Sequence, residues 1–515
     1  MPLPVIPAGA PPLPAGVPLP AAWVVGAAPV FQEPRLWRGH RLWLERLPSE
    51  AGRTTLRLGD GDGRAHDLTP GLDLRSRIHG YGGGVHCLAG SQLVCVSDGG
   101  RSLWSVDLGA SSPPAPARRI SPEPDPARPA LFGDGLIDLR RHRWIGVCEQ
   151  DGRDRLVTLP LQGGELSVLA ASDDFCGYAT LSPDGEQLAW VGWSQPCMPW
   201  DRSRLWLARL DGAGGLQDAR VVAGSSPGAG PAISVFQPLW VGSTLVVACD
   251  RSGWWNLEAL EAAGELAPAE DPAWRPLMPM AAEFGQPQWV YGMRTTAWDG
   301  SRLLAAFCRQ GRWELVALLP AGHGDGGPPP PATSAAATPA PAAAATAAAS
   351  ATADHRGDHT AAAAAGVPTG ASAGQAPGPS ACRSAAAAGG GSAGVRTGSA
   401  LAAPLRCQPI PLPFDELSAL DAEDGRLLAI ASGPDHGAGL LDLDCASGSW
   451  RHHPAQPPLL AAAAISRPEP LWFAGHGDRQ THAWFYPPSG GAGPQSPLLI
   501  RAHSGPTGMA RTGLN

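Results

Sequence analysis

The 515-residue chain contains no lysine: all 38 of its basic residues are arginine. It is also poor in tyrosine (4), methionine (6) and phenylalanine (9). No run of eighteen apolar residues occurs, so nothing reads as a membrane-spanning helix. A basic surplus is missing as well: net charge is −8 and the pI about 6.0, which excludes the electrostatic footprint of a nucleic-acid binder. With 66 Gly and 56 Pro, the lack of lysine points to GC-rich coding rather than to chemistry. Residues 1–21 are a Pro/Ala-rich segment with neither a basic start nor an unbroken apolar core, which argues against a secretory signal. A cytoplasmic location is expected, with an organelle address left open. The ten cysteines are scattered, with no C-x-x-C pair and no Cys/His cluster at ligand spacing. Reduced thiols are therefore expected, and neither a metal nor a cofactor.

What is present is organised. Residues 320–404 consist of Ala runs broken by Thr, Ser, Gly and Pro, with almost no charge and few large apolar side chains. Such a stretch buries too little surface to offset its ordering entropy and is expected to be a disordered insertion. Elsewhere an apolar segment, a polar or Gly-rich turn and an alternating strand recur seven times. These units start at Trp43, Cys95, Cys148, Val191, Cys249, Phe307 and Ala429. Six lie about 40–60 residues apart, and the last gap shrinks to about 37 once the insertion is subtracted. Period-two segments joined by Gly/Asp turns predict β-hairpins. Four short strands per repeat of about 50 residues predict an all-β, seven-bladed β-propeller, with six or eight blades as the neighbouring counts. Residues 22–465 are assigned to it. The 19 Trp suit packing between blade faces.

Four stretches then carry a resemblance. They are Arg77-Ile-His-Gly-Tyr-Gly-Gly-Gly84; Ser182-Pro-Asp-Gly-Glu-Gln-Leu-Ala-Trp-Val-Gly-Trp193 followed by Met198-Pro-Trp-Asp201; Asp250-Arg-Ser-Gly-Trp-Trp-Asn-Leu257 before Glu283-Phe-Gly-Gln-Pro-Gln-Trp289; and Pro468-Glu469 leading through His482-Ala-Trp-Phe-Tyr-Pro487 to His503-Ser-Gly-Pro-Thr507. In this order they resemble the prolyl oligopeptidase family of serine peptidases, in its acylaminoacyl-peptidase and dipeptidyl-aminopeptidase branch, over about residues 22–319 and 405–515. The resemblance implies that residues 466–515 open an α/β-hydrolase domain, with Leu498–Ile500 as a buried strand, and that the chain stops before the Ser, Asp and His of the triad. It implies a propeller that gates a peptidase acting on short peptides, a peptide substrate as partner, and no catalytic residue in this chain. It also implies an oxyanion-side position for His503, with Ser504 where the family usually has glycine. Glu283 becomes a candidate contact for a substrate amine, although no acidic partner for it is visible in the sequence. Trp200 and Trp254-Trp255 could line a substrate path or pack blades. The competing reading is a stand-alone propeller scaffold without activity.

Several motifs are decoys. Three G-x-S-x-G matches, at Ser226, Ser372 and Ser392, lack the strand-turn-helix setting of a nucleophile elbow. Gly82-Gly-Gly84 has no lysine or helix after it and reads as a turn, not a phosphate loop. His452-His453, before Pro454, reads as a solvated loop without converging metal ligands.

Overall fold

The computed structural model describes residues 18, 20, 21, 27–59, 64–109, 116–226, 228, 230–261, 263, 272–320, 401, 405–488, 490–503, 505 and 507–514. Most of residues 1–21 and the insertion lie outside this set, as do Ser372, Ser392 and Ser504.

Alternating segments joined by tight turns pair with their nearest neighbours, and here they do so seven times. Each of seven four-stranded antiparallel sheets is made from consecutive strands. Blade 1 is β1 (Val30–Trp37), β2 (His40–Leu47), β3 (Arg53–Gly59) and β4 (Ala65–Asp67). Blade 2 is β5 (His86–Ala89), β6 (Gln92–Ser97), β7 (Ser102–Asp107) and β8 (Arg118–Arg119). Blade 3 is β9 (Leu131–Asp138), β10 (Arg143–Gln150), β11 (Arg153–Pro160) and β12 (Ser167–Ala170). Blade 4 is β13 (Phe175–Leu181), β14 (Gln187–Trp193), β15 (Arg204–Leu210) and β16 (Leu216–Gly224). Blade 5 is β17 (Val235–Val241), β18 (Thr244–Cys249), β19 (Asn256–Leu260) and β20 (Trp274–Pro276). Blade 6 is β21 (Thr296–Trp298), β22 (Leu303–Arg309), β23 (Arg312–Pro320) and β24 (Leu405–Ile410). Blade 7 is β25 (Glu416–Glu423), β26 (Arg426–Gly433), β27 (His436–Asp444) and β28 (Trp450–Pro454). The arrangement is a seven-bladed β-propeller, and the seven repeats of the sequence are the second and third strands of its blades.

Those middle strands hold the core. Every residue of β18 and β19 is buried, and Trp144, Trp190, Phe236 and Phe284 are the largest fully buried side chains. Two of their turns are two residues long with left-handed backbone at both positions: Asp151-Gly152 (φ 55° and 72°) and Gln310-Gly311 (φ 52° and 79°). Two positive φ values in succession match the right-handed twist of the flanking strands.

Five of the seven innermost strands break their register at one left-handed residue each: Glu33 in β1, Asp134 in β9, Tyr178 in β13, Gln237 in β17 and Ala419 in β25. The bulge turns a side chain toward the next blade. Glu33 accepts from the Val85 amide at 2.9 Å, Asp134 from the Tyr178 amide, and Gln237 Oε1 from the Thr295 amide at 2.7 Å. Blade 7 closes the ring on blade 1 without a shared strand. Leu36 N donates to Asp421 Oδ2 at 2.8 Å and Gly39 N to Glu423 Oε2 at 3.0 Å. The insertion falls between the third and fourth strands of blade 6, where Pro320 pairs with Leu405.

After blade 7 the chain forms a hairpin, β29 (Glu469–Ala474) with β30 (Gln480–Phe485). Two expectations are corrected. Leu498–Ile500 forms no strand: the three side chains are 73, 93 and 82 % exposed, because no other described strand lies beside them. His452 and His453 lie in β28 rather than in a loop. An outermost strand needs backbone pairing on one side only, which polar residues ending in a proline can supply.

Candidate functional site

The inner strands all begin on one face of the propeller, and the last residues of the chain are seated there. Gly513 N donates to Glu416 Oε1 at 2.7 Å, Thr512 Oγ1 to Asp415 Oδ2 at 3.2 Å, and Leu514 pairs with Gly437. Beside blade 6 the Arg312 guanidinium stacks over the Trp484 ring of β30 at 5.5 Å.

Glu283 reaches this face from the connection between blades 5 and 6. Its backbone exchanges two hydrogen bonds with Cys308, beyond β21 on the neighbouring strand, at 3.0 and 2.8 Å. Its carboxylate accepts from the Trp255 amide at 2.8 Å and is half-buried rather than exposed. Burial pushes the Glu283 carboxyl above its ordinary range, the Trp255 amide opposes this, and the Asp250 carboxylate adds to the rise. Asp250 is the acidic neighbour that sequence reading missed. It follows β18, accepts from Ser234 N at 2.7 Å, and burial raises its pKa to about 6. The adjacent Arg251 guanidinium opposes part of that rise and pairs with Glu258 at 3.0 Å. Two carboxyls held partly out of water, one felt by the other, favour a cationic group near them. The signal for Asp250 was its place at the head of the Asp250–Leu257 motif, but its influence on Glu283 depends on how the chain folds.

An aromatic surface accompanies the acids. Trp289 packs on Trp200 with centroids 4.4 Å apart and on Tyr81 at 5.4 Å, and its Nε1 donates to Thr507 Oγ1 at 3.0 Å. Trp254 is exposed, whereas Trp255 is buried blade packing. His503 is exposed in the irregular stretch four residues before Thr507, and no hydrogen bond links it to Glu283. Ser226 follows β16 in a turn without a helix, within 3.4 Å of Arg204 Nη1, and has no elbow geometry.

His79, Glu149 and Asp154 place ligand-type atoms within 4.8 Å of one another. These atoms already serve each other. His79 Nε2 lies 3.0 Å from Asp154, Glu149 accepts from the His79 amide at 2.7 Å, and Cys176 N donates to Asp154 at 3.1 Å. The cluster clamps the segment at His79 to β10 and β11. The nine described cysteines are free thiols, most of them buried, and burial raises Cys87 to about 12.

A seven-bladed propeller with a C-terminal segment folded onto one face is the class these features define. No protein-family model and no curated protein matches the chain. Among solved structures the fold is shared with a puromycin-hydrolysing peptidase of Mycobacterium tuberculosis, at 22 % identity and TM-score 0.68, covering 94 % of this chain and 63 % of that one. A puromycin hydrolase matches at 21 % identity and TM-score 0.68, with 95 % and 64 % covered. Prolyl oligopeptidase B of Galerina marginata matches at 10 % identity and TM-score 0.51, with 88 % and 54 % covered. The chain thus spans less than two thirds of the length of these peptidases, and at these identities the likeness is one of fold.

Proposed function

We propose that the chain is the propeller portion of a serine peptidase of the prolyl oligopeptidase type, and that it limits access to a hydrolase domain seated on the face that carries Thr512–Leu514. The observation that carries this reading is the uncovered apolar surface of the C-terminal segment. Leu498, Leu499 and Ile500 are 73, 93 and 82 % exposed, and Leu471, Trp472 and Phe473 of the adjoining hairpin are 49, 52 and 44 % exposed. Burial of such a surface is favourable at about 25 cal/mol per Å², and a hydrolase sheet continuing from it would supply the cover.

In this reading the reaction is acyl transfer by a Ser nucleophile, a His base and an Asp orienter that lie outside residues 1–515. The Glu283–Asp250 pair holds the free amine of a short peptide or aminoacyl amide, in keeping with the acylaminoacyl- or dipeptidyl-aminopeptidase type. Desolvation makes an ammonium–carboxylate contact stronger there than in water. His503 stands on the oxyanion side, where a ring N–H stabilises the tetrahedral oxygen. The protein works in the cytoplasm.

Sequencing the native transcript through the codon for Asn515 tests the proposal. The expected frame continues into a strand, a G-x-S-x-G elbow with its helix, and later Asp and His. A stop codon directly after Asn515, with a stable monodisperse chain that no serine-directed phosphonate labels, would overturn it and leave a binding scaffold.

A further inference from the structure

A propeller ordinarily leaves a channel along its axis. Five of the inner strands here are seven or eight residues long, but β5 has four residues and β21 three. The chain leading into each of these short strands has left the wall and moved to the axis. There the two segments meet, although blades 2 and 6 are not neighbours in a ring of seven. Gly83 pairs in parallel with Tyr291, whose amide donates to Gly82 O at 3.0 Å. A side chain at Gly83 would stand 2.2 Å from Tyr291 O, and one at Gly292 would stand 2.9 Å from Gly84 N and 3.3 Å from the Glu33 carboxyl carbon. The backbones touch, and Gly83 at φ 88° is a position that glycine alone fits without strain.

The two segments are tied to the wall at several points. Asp134 N donates to Gly84 O at 2.9 Å, and the Tyr178 hydroxyl to Val290 O at 3.0 Å. The Asp154 side chain is fully buried. It takes His79 Nε2 of the first segment at 3.0 Å and lies 3.1 Å from the Tyr291 hydroxyl of the second. That hydroxyl is also 2.5 Å from Cys176 O of blade 4, and its one proton serves either acceptor. The axial chamber on the far side, about 490 Å³, is lined by all seven inner strands and includes Gly84 and Gly292 in its wall.

We propose that segments 79–84 and 289–292 form a fixed plug across the axis, pinned by Asp154, which closes the chamber toward the face carrying the C-terminal segment. Its consequence for substrate rests on the peptidase reading: a peptide reaches that face around the rim of the propeller and not along its axis. The plug is part of the wall's own hydrogen bonding, so it opens only when the blades come apart.

Amide hydrogen exchange on the full chain tests this. The Tyr291 and Asp134 amides are expected to exchange within 100-fold of the slowest amides of β10 and β18, because a fixed plug opens with the core. Exchange more than 100-fold faster than those strands would identify a moving lid and overturn the proposal. Asp154→Ala is expected to speed both amides at least 100-fold and leave β18 unchanged, and no change would remove Asp154 as the pin. Should that variant fail to fold, Tyr291→Phe removes the hydroxyl alone and is expected to speed the same amides at least tenfold, no change again counting against the pin. None of these readouts needs catalysis, so a transcript ending at Asn515 would defeat the peptidase reading and leave the plug standing.

Discussion

The interface between blades 4 and 5 and the seam between blades 7 and 1 join neighbours in the same ring by different means. Blades 4 and 5 belong to one continuous apolar cluster that includes Trp190, Leu205, Phe236, Val246 and Leu257. Within blade 4 Trp190 stacks on Trp206 at 5.8 Å, and across to blade 5 the Ser203 hydroxyl bridges to the Val235 amide and carbonyl at 2.8 and 3.1 Å. At the seam the apolar cluster shrinks to Leu36, Trp43, Leu428 and Leu440, with Phe31 and Ile430 against it. Charge takes up the difference. Asp421 holds Arg294 at 2.9 Å, lies 4.0 Å from Arg35, and accepts the Leu36 amide. Arg426 binds Asp442 and Gly39 O, both at 2.6 Å. Where the chain runs on from one blade to the next, a large shared apolar area carries most of the contact and a few hydrogen bonds such as Ser203–Val235 accompany it. Where two distant parts of the sequence must find each other, directional contacts set the register.

The comparison can be broken from either side. Trp190→Ala should have the largest effect, about 3–5 kcal/mol, since it empties a site that is 1 % exposed. A urea-unfolding midpoint that barely moved would mean that the interior does not carry the ring. Asp421→Ala strands the Arg294 guanidinium and the Leu36 amide, and should cost about 2–3 kcal/mol. Amide exchange should rise at β1 and β25 and stay unchanged at β14 and β18. A uniform rise would show that the seam is no weaker than the rest.

Asp134→Asn sharpens the picture by pH. Burial raises the Asp134 pKa to about 6 from an ordinary 3.8, so the folded chain prefers the protonated acid. That contribution is fully present below about pH 4 and is lost as pH rises through about 6. The variant keeps an acceptor for the Tyr178 amide and carries no charge. Its urea midpoint should match the parent near pH 4 and exceed it above pH 7 by roughly 1 kcal/mol in stability. An equal offset at both pH values would point to packing instead. The smallest effect is expected from deleting residues 327–398 and rejoining the chain with a short Gly/Ser turn. Pro320 already pairs with Leu405, and loop length enters closure only logarithmically, so stability should change by less than about 1–2 kcal/mol. A loss of blade 6 on deletion, read by exchange at β22 and β23, would contradict this.

The sequence was most legible where strands pair with their nearest neighbour. All seven repeated hairpins are middle strands, because clean alternation and Gly- or Asp-rich turns survive in the composition. The inner strands were less legible, since a bulge at Glu33, Asp134 or Gln237 interrupts the period of two. Leu498–Ile500 was read as a strand from its apolar run, but a strand exists only against a partner. The influence of Asp250 on Glu283 was invisible for a similar reason: the two acids stand at positions 250 and 283, and only the folded chain lets one charge act on the other. Tyr291 drew no attention in the sequence, yet it ties the axis to blades 3 and 4.

The acceptors that turn from one blade to the next also follow a parity. Glu33 of blade 1 serves blade 2, Asp134 of blade 3 serves blade 4, and Gln237 of blade 5 serves blade 6. Among the bulged residues these acceptors fall on alternate blades, while Ser203 serves blade 5 from outside the bulges. The acceptor of blade 7 is displaced by two residues, from the bulge at Ala419 to Asp421, and it attaches to a blade whose own acceptor is already committed. Adding or removing a single blade would therefore do more than change the size of the circle: it would part Asp421 and Glu423 from the Leu36 and Gly39 amides they now meet.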